Sequence, residues 1–255
     1  MIDLPVPGRS DEHTVQPHIG TLNERSLHAG LKDWYAEDGD RFEVPLDGYV
    51  ADIVRGNLII EIQTGSTASM RRKLRALLRR HPVRLVLPIT AAKRIVHRDA
   101  SGEETQGRRS PRKGAWSDAF PQLISLREFL GDGNLSVDLV LIHEEEVRGE
   151  KGRRRRWKSW SVHDRRLVEV LDVVSLQRPT DYLAFLPPSL SEPFTTADIA
   201  CRLSCSLRTA QQMAYTLRHL GALQIVGKQS RSILYQRVLA AAEVFEPEPS
   251  RYGET

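Results

Sequence analysis

Cysteine is almost absent from the sequence: Cys201 and Cys205 are the only two. They lie four positions apart on or beside a predicted helix, and this setting favours small buried apolar residues over a two-ligand metal site or a local disulfide. The sequence also has no apolar run that approaches the ~18 residues of a membrane span, and residues 1–20 lack the apolar segment of a signal peptide. We therefore expect a cytoplasmic protein with no membrane partner.

A strong excess of one charge sign is also lacking, because 37 basic residues face 33 acidic ones and the net charge is +4. The basic residues are nevertheless clustered, at 71–73, 79–80, 108–109, 112–113 and 153–156. Such clusters suit a polyanion such as nucleic acid, although each cluster taken alone could be a solvated loop. The length of 255 residues, with 40% hydrophobic and 27% charged residues, fits a globular protein of one large domain or two ordinary ones.

Residues 49–63 predict two apolar strands joined by a two-residue turn. Gly56 and Asn57 form one of the dipeptides that favour a tight hairpin. If they form the turn, Arg55 pairs with Leu58. A loop of one or three residues would shift this register and reverse the face on which the later side chains lie.

Asp52, Glu61 and Gln63 are polar residues within these apolar strands. In the register set by the Gly-Asn turn, Asp52 lies directly opposite Glu61, and strand alternation places Gln63 on the same face. Two carboxylates this close repel each other unless one is protonated or a cation lies between them. A hard divalent cation bound by carboxylate oxygens is the simplest explanation. The alternative is a solvent-exposed sheet face on which Asp52 pairs with an arginine.

The first two-thirds of the chain predicts an α/β layer with a mixed sheet, because helices and apolar strands alternate along it. The strand at 83–87 is expected to stop at Pro88, and residues 167–176 are apolar but fit no single element type. We predict helices at 21–35, 67–80 and 117–130, strands at 41–45, within 49–63, at 83–87 and at 137–147, and a mobile basic loop at 101–114.

The chain changes character at 186–189, where Leu-Pro-Pro-Ser indicates a domain boundary. Beyond it, a helix opened by Thr195 and Asp198 is followed by a short turn, a second helix over 206–220 and a hairpin with a basic tip. This order is typical of a winged helix-turn-helix domain. We predict a flexible N-terminus at 1–20, a first domain at 21–186, a winged helix-turn-helix domain at 187–240 and a disordered tail at 241–255.

The second helix of this C-terminal domain would be the recognition helix, with Leu207, Met213, Leu217 and Leu220 packed inward. Its early polar residues and the hairpin tip would meet bases and phosphates of a duplex. The alternative is a winged helix used for protein contact or dimerisation. The predicted DNA-binding residues are Ser206, Arg208, Thr209, Gln211 and Gln212 on the helix and Lys228 and Arg231 at the tip.

The order of helix, hairpin, helix and strand over roughly residues 21–90, with Asp52 on one strand and Glu61 to Gln63 as a Glu-x-Gln on the next, resembles the PD-(D/E)XK nuclease superfamily. The resemblance implies a restriction-endonuclease-like mixed sheet flanked by helices. It also implies that Glu24, Asp52 and Glu61 surround one or two magnesium ions. Gln63 stands where lysine is usual in that family. Glu24 also completes a capping box that begins at Thr21, so helix capping is its alternative role.

The resemblance implies a catalytic set of Asp52, Glu61, Gln63 and Glu24, with Asp52 and Glu61 as ligands of Mg²⁺ or Mn²⁺. Carboxylate-bound magnesium can activate a water and stabilise the charge that develops on the phosphate oxygens. Gln63 can orient that water but adds no charge, so we expect a slower enzyme than one with lysine, or a greater dependence on the metal. Arg72 and Lys73 on the following helix would contact the scissile phosphate or else form a solvated helix face.

We therefore expect a metal-dependent DNA endonuclease that hydrolyses phosphodiester bonds and binds duplex DNA. The first alternative is a catalytically inactive DNA-binding protein or transcriptional regulator that uses the winged helix. A second alternative is a protein-interaction module. A monomer and a homodimer both remain open.

Overall fold

The computed structural model describes residues 26–99, 101–150 and 160–238. The predicted helix acid Glu24 lies outside these residues, as do the predicted flexible N-terminus at 1–20, the basic cluster at 153–156 and the predicted tail at 241–255.

The described residues form a seven-stranded mixed sheet, flanking helices and a separate two-stranded sheet. The helices are α1 (Ser26–Tyr35), α2 (Met70–Leu77), α3 (Phe120–Leu126), α4 (Thr196–Leu203) and α5 (Leu207–His219). The strands are β1 (Arg41–Leu46), β2 (Tyr49–Arg55), β3 (Leu58–Ile62), β4 (Val83–Arg98), β5 (Arg108–Arg109), β6 (Leu135–Glu150), β7 (Trp160–Leu176), β8 (Leu223–Gln229) and β9 (Ser232–Arg237).

The large sheet has the strand order β1-β2-β3-β4-β6-β7, and β5 pairs with the far end of β4. The pairs β1–β2 and β2–β3 are antiparallel, the strands β3, β4 and β6 are parallel to one another, and β7 returns antiparallel to β6. The parallel pairs need crossovers, which α2 and α3 supply. The expected α/β architecture with a large mixed sheet flanked by helices is therefore confirmed.

The two faces of the sheet bury alternate residues of the same strands. On one face, Ile60 and Val86 pack with Leu27 and Leu31 of α1. On the other face, the neighbouring strand residues pack against the helices α2 and α3. Because successive side chains of a strand point to opposite faces, β3 and the first part of β4 can carry apolar residues on both faces and bury nearly all of them.

The predicted hairpin between β2 and β3 is confirmed in its register, because Arg55 pairs with Leu58 across the Gly56-Asn57 turn. Gly56 has a φ of +58°, which glycine adopts without strain. The paired residues end at Ile53 and Ile60. The two strands therefore diverge from Asp52 and Glu61 onward.

The prediction that Pro88 stops its strand is wrong, since β4 continues through it to Arg98. Pro88 pairs with Val140 of β6, whereas the pairing with β3 ends at Val86. Past that point β4 has no β3 neighbour to which a backbone N–H could donate, so proline is tolerated there as it is on an edge strand. Residues 167–176, whose type the sequence left open, lie in β7.

Two predicted helices are shorter than their patterns suggest. The 67–80 segment divides into a 3-10 turn at Thr67–Ser69 and α2, and the 117–130 segment into a 3-10 turn at Trp116–Ala119 and α3. The predicted loop at 101–114 contains β5.

In the C-terminal region, α4 and α5 are followed by the β8–β9 hairpin. The predicted capping box is present, since the backbone N–H of Thr195 donates to Asp198 at 2.7 Å and the hydroxyl of Thr195 accepts from the Asp198 N–H at 3.3 Å. The buried side of α5, with Met213 and Leu217, shares one apolar core with α3 and the sheet. The helices and the sheet are thus joined by continuous packing.

Two smaller predictions about this region are wrong. Leu207 is 50% exposed rather than packed inward, because the first turn of α5 projects beyond the core. Cys201 is exposed rather than buried, while Cys205 is partly buried against the core.

Among the described residues, no helix is long and apolar enough to cross a membrane.

Candidate active site

The candidate site lies at the fork where β2 and β3 diverge. Asp52 is the first residue of β2 beyond the pairing, and its carboxylate Oδ2 accepts a hydrogen bond from the backbone N–H of Ile62 at 2.8 Å. The side chain of Asp52 thus spans the gap between the diverging strands. This contact holds the carboxylate at the fork, next to the strand that carries Glu61.

Asp52 is also contacted by α1. His28 Nε2 lies 3.2 Å from the same Oδ2 atom. Burial alone would raise the pKa of Asp52, but the hydrogen bond and charge of His28, the Ile62 N–H and the charge of Lys73 together lower it below its usual value. Asp52 is therefore ionised at neutral pH.

Glu61 behaves in the opposite way. It is 2% exposed, and burial together with the negative charge of Asp52 raises the pKa of Glu61 to about 7, in spite of the nearby ammonium of Lys73. Its Oε1 atom is buried and has no hydrogen-bond partner among the described residues. Two acidic groups at one fork thus have pKa values shifted in opposite directions, which is a common property of catalytic sites.

Lys73 reaches this fork from α2. Its ammonium donates a hydrogen bond to Glu61 Oε2 and another to the backbone oxygen of Val50 at 2.6 Å. The Lys73 side chain is only 15% exposed. Of the two roles open to Lys73 from sequence, the solvated helix face is therefore wrong, whereas its neighbour Arg72 is exposed.

The partners of the two carboxylates come from helices on opposite faces of the sheet: His28 from α1 and Lys73 from α2. Strict alternation of side chains along each strand predicts that Asp52 and Glu61 lie on the same face of the sheet. The difference arises because the strands diverge at the fork, so Asp52 is free to turn toward Ile62 and His28. Sequence reasoning missed His28, although its position four residues after Glu24 on a predicted helix was an available signal.

Gln63 lies just beyond β3, but its side chain is turned to its own loop. Its amide donates to the backbone oxygen of Ser66 at 2.9 Å. No hydrogen bond joins it to Asp52 or Glu61 among the bonds of the described residues. Gln63 thus braces the turn after β3.

At the fork, Asp52 and Glu61 are the two carboxylates that could bind a divalent cation. Within residues 26–99, 101–150 and 160–238, no three His, Cys, Asp or Glu side chains form a metal-binding group. Magnesium commonly needs only one or two protein carboxylates and keeps several waters. Asp52 and Glu61 can supply these two, and the unpartnered Oε1 of Glu61 is an oxygen ligand of the required kind.

The predicted DNA-binding residues of α5 differ in how far they are exposed to solvent. Ser206 is the N-cap of α5 and accepts from the N–H of Thr209 at 3.0 Å, and the two hydroxyls lie 2.8 Å apart. These hydroxyls therefore cap the helix. Arg208 and Gln211 are exposed, and Gln212 is half-buried.

The tip of the β8–β9 hairpin is a tight turn at Ser230 and Arg231, with Ser230 at a φ of +55°. Lys228 and Arg231 are both exposed there. On α5, sequence reasoning missed Tyr215, which is 41% exposed; the guanidinium carbons of Arg127 and Arg218 lie 5.7 and 5.9 Å from its ring centre.

Residues 25–177 match the family model of DUF8091, described as a domain of unknown function. The chain belongs to the DUF8091 family. The matched DUF8091 region contains the whole seven-stranded sheet and the fork residues, and it ends before α4. An uncharacterized protein of Treponema pallidum (strain Nichols) is 30% identical over 224 residues, which are 86% of this chain and 87% of that protein. No solved structure matches the chain.

Proposed function

We propose that the protein is a metal-dependent DNA endonuclease that hydrolyses phosphodiester bonds at the fork formed by Asp52 and Glu61. The observation that carries this proposal is the grouping of the partly buried Asp52 carboxylate, the buried Glu61 carboxyl and the Lys73 ammonium at one fork in the sheet. A buried ion pair is not needed to stabilise the fold, because apolar residues of similar volume often do so as well. A functional role explains why such a costly arrangement occupies the sheet.

The proposed site contains the groups that phosphodiester hydrolysis requires. Magnesium bound to Asp52 and Glu61 would supply a polarised water and positive charge for the phosphate oxygens. Lys73 provides an additional fixed positive charge next to Glu61, where it can stabilise negative charge on the phosphate. His28 holds the Asp52 carboxylate in position from the other side.

We propose in addition that Lys73 takes the role that the resemblance to PD-(D/E)XK nucleases assigns to the residue at Gln63. Gln63 carries no charge and bonds Ser66, whereas Lys73 contacts Glu61 directly. A lysine that enters from α2 supplies the charge that the strand lacks. Under this proposal the fold is restriction-endonuclease-like, and the absence of a strand lysine does not remove activity.

The C-terminal region would deliver duplex DNA as a winged helix-turn-helix domain. The order α4, turn, α5 and β8–β9 hairpin supports this, as do the exposed Arg208, Lys228 and Arg231. The first turn of α5 projects from the core, so its polar side chains can enter a major groove. Phosphate contacts by the exposed arginines and lysine would position the duplex.

A cleavage assay tests the proposal directly. The purified full chain is incubated with supercoiled and linear DNA, with Mg²⁺, Mn²⁺ or a chelator, beside Asp52→Asn and Glu61→Gln. We expect nicking or linearisation that needs the metal and is lost in both variants, while each variant still binds DNA. Cleavage that persists in both variants would show that the fork is not the active site.

A catalytically inactive DNA-binding protein or regulator is the second candidate. The bond from Gln63 to Ser66 favours it, because the residue at the usual lysine position does not reach the carboxylates. For such a protein, all metals would leave the DNA intact while binding persists. Binding that barely weakens between low and moderate salt would argue against both candidates, since phosphate contacts are strongly salt-dependent.

A further inference from the structure

A second polar site lies beside Thr64, the residue that follows Gln63. A pocket of about 410 Å³ is formed by the loop after β3, the middle of β4, the segment from Ser110 to Gln122, and residues of β6 and β7. Its only acidic lining residue among those described is Asp118. Four of its lining side chains are cationic: Lys93, Arg112, Arg148 and Arg165.

Two buried glutamates on β6 hold three of these cations in place. Glu144 accepts from Arg165 Nε at 2.8 Å and lies 3.0 Å from the Lys93 ammonium. Glu146 accepts from Arg148 Nε at 2.6 Å and from Lys93. Because both glutamates are at most 5% exposed, they support the cations from beneath. The cations are thereby ordered before any ligand arrives, which lowers the entropic cost of binding.

The remaining hydrogen-bond capacity in the pocket is mostly that of donors. The hydroxyl oxygen of Ser110 accepts from the Arg112 N–H at 3.3 Å, and that of Thr90 accepts from Arg165 at 3.4 Å. In each hydroxyl the hydrogen is then available to a ligand. Arg148 uses Nε and Nη2 for Glu146, which leaves Nη1 without a hydrogen bond to any described residue.

Once the paired carboxylates of Asp118, Glu144 and Glu146 are counted, the four cations leave a net charge of about +1, which together with these donors matches an anionic ligand that accepts hydrogen bonds. We propose that this pocket binds a terminal phosphate group, borne by a nucleic-acid strand or by a free nucleotide. Its volume lies within the ~300–1,000 Å³ typical of small-molecule sites and exceeds that of a bare phosphate. The buried Oε1 of Gln122, which has no hydrogen-bond partner among the described residues, can accept from the nucleoside moiety.

The pocket does not depend on the proposed cleavage, because none of its lining residues is Asp52, Glu61 or Lys73. Binding can therefore be measured without turnover, in the presence of a chelator. Failure of cleavage and failure of phosphate binding are separate results.

The test compares matched ligands that differ only in the terminal phosphate. Fluorescence anisotropy measures the full chain binding a labelled DNA duplex with a 5′-phosphate against the same duplex with a 5′-hydroxyl. Calorimetry compares deoxyadenosine 5′-monophosphate with deoxyadenosine. We expect the phosphate to improve binding roughly tenfold in at least one pair, as one charge-assisted contact would provide.

The variants Arg148→Gln and Arg112→Gln should each reduce this preference severalfold. Arg112 has an 81% exposed side chain, so its replacement tests the pocket without disturbing the core. Arg178→Gln is the matched control, since its exposed side chain pairs with Asp181 away from the pocket. Thermal melting of each variant verifies that it is folded.

Each outcome has a definite meaning. A preference seen only with the duplex assigns the phosphate to a nucleic-acid end, and one seen only with the monophosphate assigns it to a free nucleotide. Equal binding of the phosphate and hydroxyl forms in both pairs overturns the proposal. It is overturned as well by a preference that Arg148→Gln and Arg112→Gln both leave unchanged.

Discussion

Lys73 of α2 and Glu61 of β3 are joined by a hydrogen bond from the ammonium to the carboxyl group, and the same ammonium donates to the backbone oxygen of Val50 at 2.6 Å. The contact ties the helix that follows the hairpin to both of its strands. It also places a positive charge beside a carboxyl whose pKa is raised to about 7. The geometry therefore makes Lys73 the residue whose removal is most informative.

Replacement of Lys73 by methionine should reduce DNA cleavage by roughly 10²–10³-fold, the loss expected when one preorganised group that stabilises transition-state charge is removed. DNA affinity should change little, because the side chain is largely enclosed. Single-turnover cleavage and anisotropy measure the two effects separately. The matched control is Arg72→Met, which removes the neighbouring exposed charge. An equal loss in both variants would mean that α2 acts only through its overall charge.

The stability of the metal-free protein should depend on the ionisation of Glu61. Its pKa rises from 4.5 to about 7 on folding, so the folded state binds this proton more tightly than the unfolded state does. The resulting stabilisation is complete below pH 4.5 and is lost as the pH rises through 7.

Relative to Glu61→Gln, the free energy of unfolding of the wild type should fall by up to about 3 kcal/mol across that window. Urea titrations in a chelator at several pH values measure the difference. Glu61→Gln serves as the control for the wild type, because the two proteins share every other titrating group. A difference that is constant with pH, or that grows as the pH rises, would contradict a raised pKa.

Gly114 should tolerate no side chain. A Cβ atom at this position would lie 2.0 Å from the backbone oxygen of Thr90. Because that oxygen belongs to β4, the strand would have to move, and Gly114→Ala should destabilise the protein by about 1–3 kcal/mol. Chemical denaturation measures the change. At Gly133 a Cβ would meet nothing within 4 Å, so Gly133→Ala serves as the control and should stay within about 0.5 kcal/mol.

Substitution of the exposed basic residues of the C-terminal region should weaken DNA binding in a salt-dependent way. Arg208→Ala and Arg231→Ala should each lower the slope of log affinity against log salt by about 1, as expected for one lost phosphate contact. Fluorescence anisotropy at several salt concentrations gives the slope. Arg178→Ala removes an equally exposed charge outside this surface. If Arg178→Ala lowers the slope as much as the other two, binding to α5 and the hairpin tip is refuted.

The sequence was sufficient for the features of the fold that local patterns control. The Gly56-Asn57 dipeptide set the hairpin register, and the Thr195–Asp198 capping box marked the start of α4. The length of β4 could not be read in this way. Whether Pro88 ends the strand depends on where β3 stops beside it, and this is a property of neighbours distant in sequence.

The candidate site was only partly predictable. Asp52 and Glu61 stood out because carboxylates are rare inside apolar strands. Lys73 and His28 lie on helices that the sequence does predict, but the local pattern does not separate Lys73 from Arg72 and marks His28 only by its spacing from Glu24. Their roles follow from the angles at which α1 and α2 pack on the two sheet faces.

The sequence by itself determined the hairpin, its register and the presence of two carboxylates in its apolar strands, because turn chemistry and strand alternation act over a few residues. Only the tertiary structure decided which cation meets Glu61, which group holds Asp52 and which of the two acids keeps its proton. These outcomes depend on burial and on charges brought from other elements, and such long-range effects leave no mark on the local pattern.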